Sequence, residues 1–258
     1  MRPTTRLFLW AITASTLLIS ALTRADEPAL PPALQALETQ GVTIVEELET
    51  TDDLRILAAA AGQQPLAIYV TAGGNVIVGT RFDARGRPMD EDRLQQLVEL
   101  PMAQQAWSQL NDSSWVLDGD IEAPRIVYTF SDPNCPYCNQ FWKAARPWID
   151  AGAVQLRHVM VGMLKADSAT KAAAILDAPD SSAALRENEQ NFARGGITPK
   201  RSIPNSTRRT LEDHRMLMMT LGFRGTPGIV ALDDDGLLQT VNGMPQSGTL
   251  EALLGPRP

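Results

Sequence analysis

Residues 126–149 read IVYTFSDPNCPYCNQFWKAARPWI, and their pattern decides how the larger part of the chain folds. Ile126 to Phe130 is a short apolar run of β-branched and aromatic residues, the composition of a buried strand. Phe141 to Ile149 has helical spacing. Between the two lies Cys135-Pro136-Tyr137-Cys138, and these are the only two cysteines in 258 residues. A Cys-x-x-Cys pair at a strand-to-helix junction reads as a redox centre.

The junction also assigns the two sulfurs different work. Cys135 is expected at the N-cap of the helix, with Pro136 at the first helical position, where a missing N–H costs nothing. A thiolate there accepts hydrogen bonds from unpaired N–H groups and feels the positive end of the helix dipole. Both effects favour ionisation, so Cys135 is expected to be the nucleophile. Cys138 lies further into the helix, is expected to be the more buried of the two, and would resolve the mixed disulfide that Cys135 forms. Pro136 and Tyr137, as the middle residues, tune the potential without deciding the direction of exchange. A zinc site would need four ligands, and only His158 and His214 stand beside the cysteines, without close histidine spacing. A structural disulfide closing so short a loop would constrain the unfolded chain little. No metal and no other cofactor is expected.

Outward from the pair, the order is strand 125–130, helix 136–150, strand 154–161, strand 228–232, strand 238–241 and helix 247–254. The first three form a βαβ unit with parallel strands. Asp233-Asp234-Asp235-Gly236 supplies the turn of an antiparallel pair. A mixed sheet flanked by helices follows. The stretch from about 165 to 222 offers three helical segments, broken near Pro179 and between Gly195-Gly196 and Pro204, and reads as a helical insertion. Thr226-Pro227-Gly228 immediately precedes the strand 228–232. Pro227 can simply start that strand or form a cis bond, which implies a specific geometric need. Thr198-Pro199 is followed by no β-like run and reads as a helix breaker.

Towards the N-terminus, Leu94, Leu97, Val98, Met102 and Trp107 mark an amphipathic helix between Met89 and Asn111, with Pro101 as the point where it can bend. It is a natural connector, or else a helix packed wholly in one core. Before it, 34–37 is helical in character, 42–48 is strand-like, and 66–71 with 76–80 reads as a hairpin across Gly73-Gly74-Asn75. Such a thin, mostly stranded unit is near the lower limit for stability alone and would gain by pairing with a second copy.

Arg2 and Arg6 precede a largely apolar stretch, 7–22, that ends in Thr23-Arg24-Ala25, the layout of a secretory signal peptide cleaved near Ala25. The stretch is short and diluted by Thr13, Ser15, Thr16 and Ser20, which disfavours an uncleaved anchor. Without residues 1–25 the chain keeps 20 basic and 30 acidic residues, a net charge of −10, so nucleic acid and anionic membranes are poor partners. At 44% hydrophobic and 21% charged residues the composition is globular. The expected division is 1–25 signal peptide, 26–88 N-terminal domain, 89–112 linker helix and 113–258 catalytic domain.

The run SDPNCPYCNQFWKAARPWIDAGAVQLRHVMVGMLKADSATKAAAIL, with GTPGIV downstream, resembles the periplasmic DsbC/DsbG family of thiol:disulfide interchange proteins. The match is close over 125–176 and 225–254 and agrees in layout elsewhere; over 26–90 it lies in length and order more than in sequence. The resemblance implies a thioredoxin-like α/β fold (α+β overall) with a helical insertion, joined by the linker helix to a small α+β domain through which two chains form a V-shaped homodimer. It implies that Thr226-Pro227 is a cis-proline site facing Cys135 and Cys138, where an extended substrate segment is held by its backbone. It also implies a DsbD-like membrane thiol reductase as electron donor, and exported proteins with oxidised cysteines as substrates.

The expected activity is therefore reduction of sulfenylated cysteines and reduction or isomerisation of disulfides in the periplasm. With no second cysteine pair and no dinucleotide fingerprint, electrons must come from another protein. A net oxidase, or a dimeric chaperone-like binding protein with the cysteines secondary, are the alternatives.

Overall fold

The computed structural model of the protein describes residues 31–48 and 54–258. The expected signal peptide, 1–25, lies outside the described residues.

The N-terminal unit opens with α1 (Pro32–Thr39) and continues through β1 (Val42–Leu48), β2 (Arg55–Ala61), β3 (Gln64–Val70) and β4 (Val76–Val78). The four strands form an antiparallel meander in chain order, with the expected hairpin as its last pair. β2 was not foreseen. Its sequence, Arg-Ile-Leu-Ala-Ala-Ala-Ala, is rich in the best helix former, yet it pairs along its length with both β1 and β3. Burial on both faces explains the override. Ile56 and Ala58 join a cluster with Val98, Leu94 and Leu97, while Leu57 and Ala59 join one with Leu34 and Leu37 of α1. A strand covered on both sides loses the polar alternation that marks a half-exposed one.

The connector runs as α2 (Glu91–Leu94), a π-helical turn (Gln95–Glu99) and α3 (Leu100–Asp112). Leu100 N–H donates to Gln95 O, so the helix widens one turn ahead of Pro101, which sits in the first turn of α3 where its missing donor is harmless. Val98, Leu94, Leu97 and Met102 pack on the N-terminal sheet; Ala106, Trp107 and Leu110 pack on Tyr128 and Phe130 of the second sheet. The helix thus belongs to both cores.

The second sheet contains β5 (Val116–Asp118), β6 (Arg125–Ser131), β7 (Val154–Met160), β8 (Gly228–Leu232) and β9 (Leu238–Asn242), in the order β5-β7-β6-β8-β9. β6 and β7 are parallel and the other pairs antiparallel, which is the mixed sheet read from sequence. The short edge strand β5 was not foreseen; three residues carry too little pattern to announce it. α4 (Pro136–Asp150) and α8 (Ser247–Leu254) cover one face, where Val127, Leu156 and Ile229 meet Phe141, Trp148 and Leu253. α3 and α7 (Asn205–Thr220) cover the other.

Between β7 and β8 the insertion contributes α5 (Ser168–Leu176), α6 (Ser181–Gln190), a short 3-10 turn (Phe192–Arg194) and α7, with breaks at Pro179 and from Gly195 to Pro204. Its apolar side packs on Val116 and Met160, at the end of the sheet where β6 runs into the cysteine loop.

Candidate active site

The site is built on the loop from β6 to α4. Asp132 draws this loop together: Oδ1 accepts from Asn134 N–H (2.9 Å) and the Ser168 hydroxyl (2.8 Å), and Oδ2 accepts from Met163 N–H (2.7 Å) and Leu164 N–H (2.9 Å). The chain therefore enters α4 already bent, and Cys135 N–H donates to Asp132 O (2.9 Å). Cys135 is the N-cap, with extended backbone (φ −83°, ψ 115°), and its Sγ accepts from Cys138 N–H at 3.2 Å. Pro136 follows at the first helical position, and Pro136 and Tyr137 are exposed.

Across from the helix end, the Thr226–Pro227 peptide bond is cis. The Cys135 thiol donates to Thr226 O at 3.3 Å, and the Thr226 hydroxyl is buried beside it. Gly228 is required behind this loop, since a Cβ there would lie 2.7 Å from the Phe223 ring. Cys135, Cys138, Thr226 and Pro227 therefore converge, whereas Thr198-Pro199 stays outside the site.

The two sulfurs are unbridged thiols of opposite character. Hydrogen bonding from the Cys138 thiol, opposed by burial and assisted by the Thr226 hydroxyl and the N–H groups of Cys138 and Tyr137, lowers the Cys135 pKa to about 6. Burial first, then the hydrogen bond and negative charge of Cys135, push Cys138 well above the ordinary thiol value. The expected contrast in burial does not show in accessible area, where Cys135 is 2% exposed and Cys138 4%. Their difference comes from surroundings: donors reach Cys135, while desolvation dominates at Cys138.

Beneath α4 lies a buried polar group that sequence reading did not assemble. Arg146 forms a two-pronged ion pair with Asp118 and stacks over Trp142, its guanidinium carbon 4.3 Å from the ring centre. His158 approaches Asp118 at 3.8 Å through Nε2 and meets Ser131 Oγ at 3.1 Å through Nδ1. Burial would raise the Asp118 carboxyl, but the close approach of His158 and the two-pronged pair with Arg146 prevail and hold it at about 2. His214 is engaged elsewhere, with Met160 O (2.8 Å), so the two histidines do not converge with the cysteines, and no group of three or more metal-ligating residues occurs among the described residues.

A model of the thioredoxin-like domain matches residues 121–256. The thiol:disulfide interchange protein DsbG of Pseudomonas aeruginosa is 41% identical over 243 residues, covering 94% of each chain. The chain belongs to the DsbG family. The Escherichia coli DsbG is 33% identical over 239 residues, 92% of this chain and 96% of that protein. Among solved structures, Proteus mirabilis ScsC in a compact conformation covers 62% of this chain and 81% of its own, with a TM-score of 0.50 and 19% identity, a likeness of fold. DsbG membership and the closely spaced Cys135–Cys138 pair make this protein a redox-active, thiol-based oxidoreductase.

The structure brings together the sulfurs and Thr226-Pro227 that the sequence singles out, and adds what holds them, which the sequence does not reveal: Asp132, Asn134, Asn139, Ser168, Lys171, Asn188 and Glu189. One signal was present. Asp132-Pro133-Asn134 has the composition of an aspartate-led turn, and the Asp132 carboxylate does accept the N–H two residues on.

Proposed function

We propose that the protein is a periplasmic reductase and isomerase in which Cys135 attacks and Cys138 resolves. The observation that carries this reading is the N-capped sulfur: Cys135 accepts the Cys138 N–H, and the donors around it lower its pKa to about 6, which favours the thiolate at neutral pH. The Cys135 thiolate attacks a substrate disulfide, forms a mixed disulfide and expels one substrate thiolate. Cys138 then loses its proton and attacks the Cys135 sulfur, releasing the second substrate thiol and leaving the pair oxidised. With a sulfenic acid, Cys135 displaces the hydroxyl as water and the same resolution frees the thiol. If a thiol of the substrate resolves the mixed disulfide instead, the disulfide is isomerised and Cys135 regenerated without net electron flow.

Reduction costs two electrons per turnover, and the chain has no second cysteine pair to supply them, so a DsbD-like membrane thiol reductase is the proposed donor. A stabilised Cys135 thiolate favours the reduced pair and so eases that transfer. Thr226 and Pro227 would hold an extended segment of an exported substrate by its backbone. On this reading 1–25 is the signal peptide, 26–88 a homodimerisation domain, 89–112 the linker and 113–258 the catalytic domain.

Trapping tests the roles. With Cys138→Ala, mixed disulfides through Cys135 accumulate and identify substrates by mass spectrometry; stable adducts through Cys138 in Cys135→Ala, with none in Cys138→Ala, would reverse the assignment.

A further inference from the structure

The residues on either side of the Cys-Pro-Tyr-Cys turn are gripped from behind by two helices of the insertion. Asn134, beside Cys135, accepts from Lys171 Nζ (2.8 Å) and donates to Asp167 Oδ1 (2.9 Å) and Ser168 Oγ (3.0 Å) of the α5 region. Asn139, beside Cys138, donates through Nδ2 to both the backbone O and Oε2 of Glu189 on α6, each at 2.8 Å. The second carboxylate oxygen is also occupied: Asn188 Nδ2 donates to Glu189 Oε1 (3.0 Å) and to Pro133 O (3.2 Å). Asn188 is itself fixed, its Oδ1 accepting Ile197 N–H at 3.1 Å. A single buried carboxylate thus ties together the carbonyl two residues before Cys135 and the side chain immediately after Cys138.

A carboxylate is a costly group to bury, and Glu189 is only 4% exposed. Burial raises its pKa against the Asn139 hydrogen bond, the charge of His158 and the Asn188 hydrogen bond, with the Asp118 charge acting in the same sense as burial. Packing alone would be served by leucine or methionine at this place. What those lack is two acceptor oxygens facing two amide donors, and a glutamine would set its own NH2 against one of them.

We propose that Glu189 is a positioning residue for the Cys135 thiolate: through Asn139 and Asn188 it holds the first turn of α4 in the register that aims the Cys138 N–H at the Cys135 sulfur. The assignment rests on the reading of Cys135 as nucleophile. It gives the helical insertion a role in the chemistry, although none of its residues touches sulfur in the described hydrogen bonds.

The test is thiolate absorbance at 240 nm against pH in the reduced, full-length mature protein. Glu189→Gln moves the Cys135 midpoint upward, with about threefold less thiolate at pH 6, because a capped thiolate is stabilised by the donors aimed at it. Glu187→Gln, which removes an exposed charge from the same helix, titrates as wild type. If Glu189→Gln lowers the melting temperature but leaves the midpoint unchanged, Glu189 serves the fold alone and the proposal is overturned. Should that variant not fold, Asn139→Ala leaves the carboxylate its Asn188 donor and gives the same readout, an unmoved midpoint again being fatal. If wild-type Cys135 is inert towards disulfides while the midpoint still responds to Glu189→Gln, the redox reading fails and the positioning assignment stands.

Discussion

The two sheets of this molecule are each sandwiched by helices, but they bury different things. Around the N-terminal sheet the described buried residues are apolar or aromatic, and every buried polar or charged residue described, from Asp118 to His214, lies in the thioredoxin-like part. The surfaces do not follow the interiors: the N-terminal unit exposes Val45, Ile77, Val78 and Phe82 near its sheet edges, and the thioredoxin-like part exposes Ile121, Tyr137, Met163, Leu164, Met216 and Met219. One unit has an apolar interior; the other takes amides, carboxylates and a lysine inside to hold a turn of four residues. Burying polar groups costs free energy that only full hydrogen bonding offsets. That cost is concentrated where the geometry of two sulfurs is set.

Overfilling each interior tests the contrast most strongly. Gly228→Ala drives a methyl into the Phe223 ring, which should cost about 3 kcal/mol and also impair exchange, because the displaced loop carries Thr226. Ala59→Leu in β2 should cost about 1–3 kcal/mol yet leave the Cys135 titration untouched, since Ala59 packs with Leu34 and Leu37 of α1 in a cluster that contains no residue of the cysteine site. Urea unfolding alongside the 240 nm titration reads both, and a shifted midpoint in Ala59→Leu would mean the two interiors are not independent.

A smaller effect separates them by pH. Asp118 has a folded pKa held down at about 2, so its contribution is complete above the unfolded value near 4 and is lost as pH falls through about 2. The corresponding stabilisation is about 2 kcal/mol, so Asp118→Asn should flatten the acid limb of the stability curve between pH 4 and 2. An unchanged slope would show that the ion pair with Arg146 forms equally in the unfolded chain. The smallest change in stability is expected at the exposed apolar surface: Ile77→Glu and Phe82→Glu should alter it by under about 0.5 kcal/mol and, if the proposed homodimer forms through the N-terminal sheets, shift the protein towards monomer in analytical ultracentrifugation. A dimer unaffected by both would place the homodimer contact elsewhere.

Much of this was legible in the chain. The strand, cysteine pair and helix at 126–149, the parallel β6–β7 pair, and the three insertion helices follow from apolar periodicity and the positions of proline and glycine. β2 was hidden because alanine says little about strands unless both neighbouring strands are known. The grip on the active-site turn was hidden for a related reason: Asn139 and Glu189 are 50 residues apart, and neither has a local pattern that announces the other. Long-range hydrogen bonds between common polar residues leave no mark on spacing. The sulfurs were legible because cysteine is rare here and its capping position is a local property.

The shared helix has a geometric consequence. From Glu91 to Asp112 the path is helical throughout, with one end seated in each core, so it spans about 30 Å at the usual rise per residue. A rod clamped at both ends keeps its length and twist far better than a loop would. In a homodimer joined through the N-terminal sheets, the two sulfur pairs would work like the tips of a caliper, and the gap between them would be set in advance by helix length. Inserting a few residues between Ala103 and Ala106 would then rotate each tip by a fixed angle per residue, changing which client shapes can be grasped while leaving the chemistry at each tip alone.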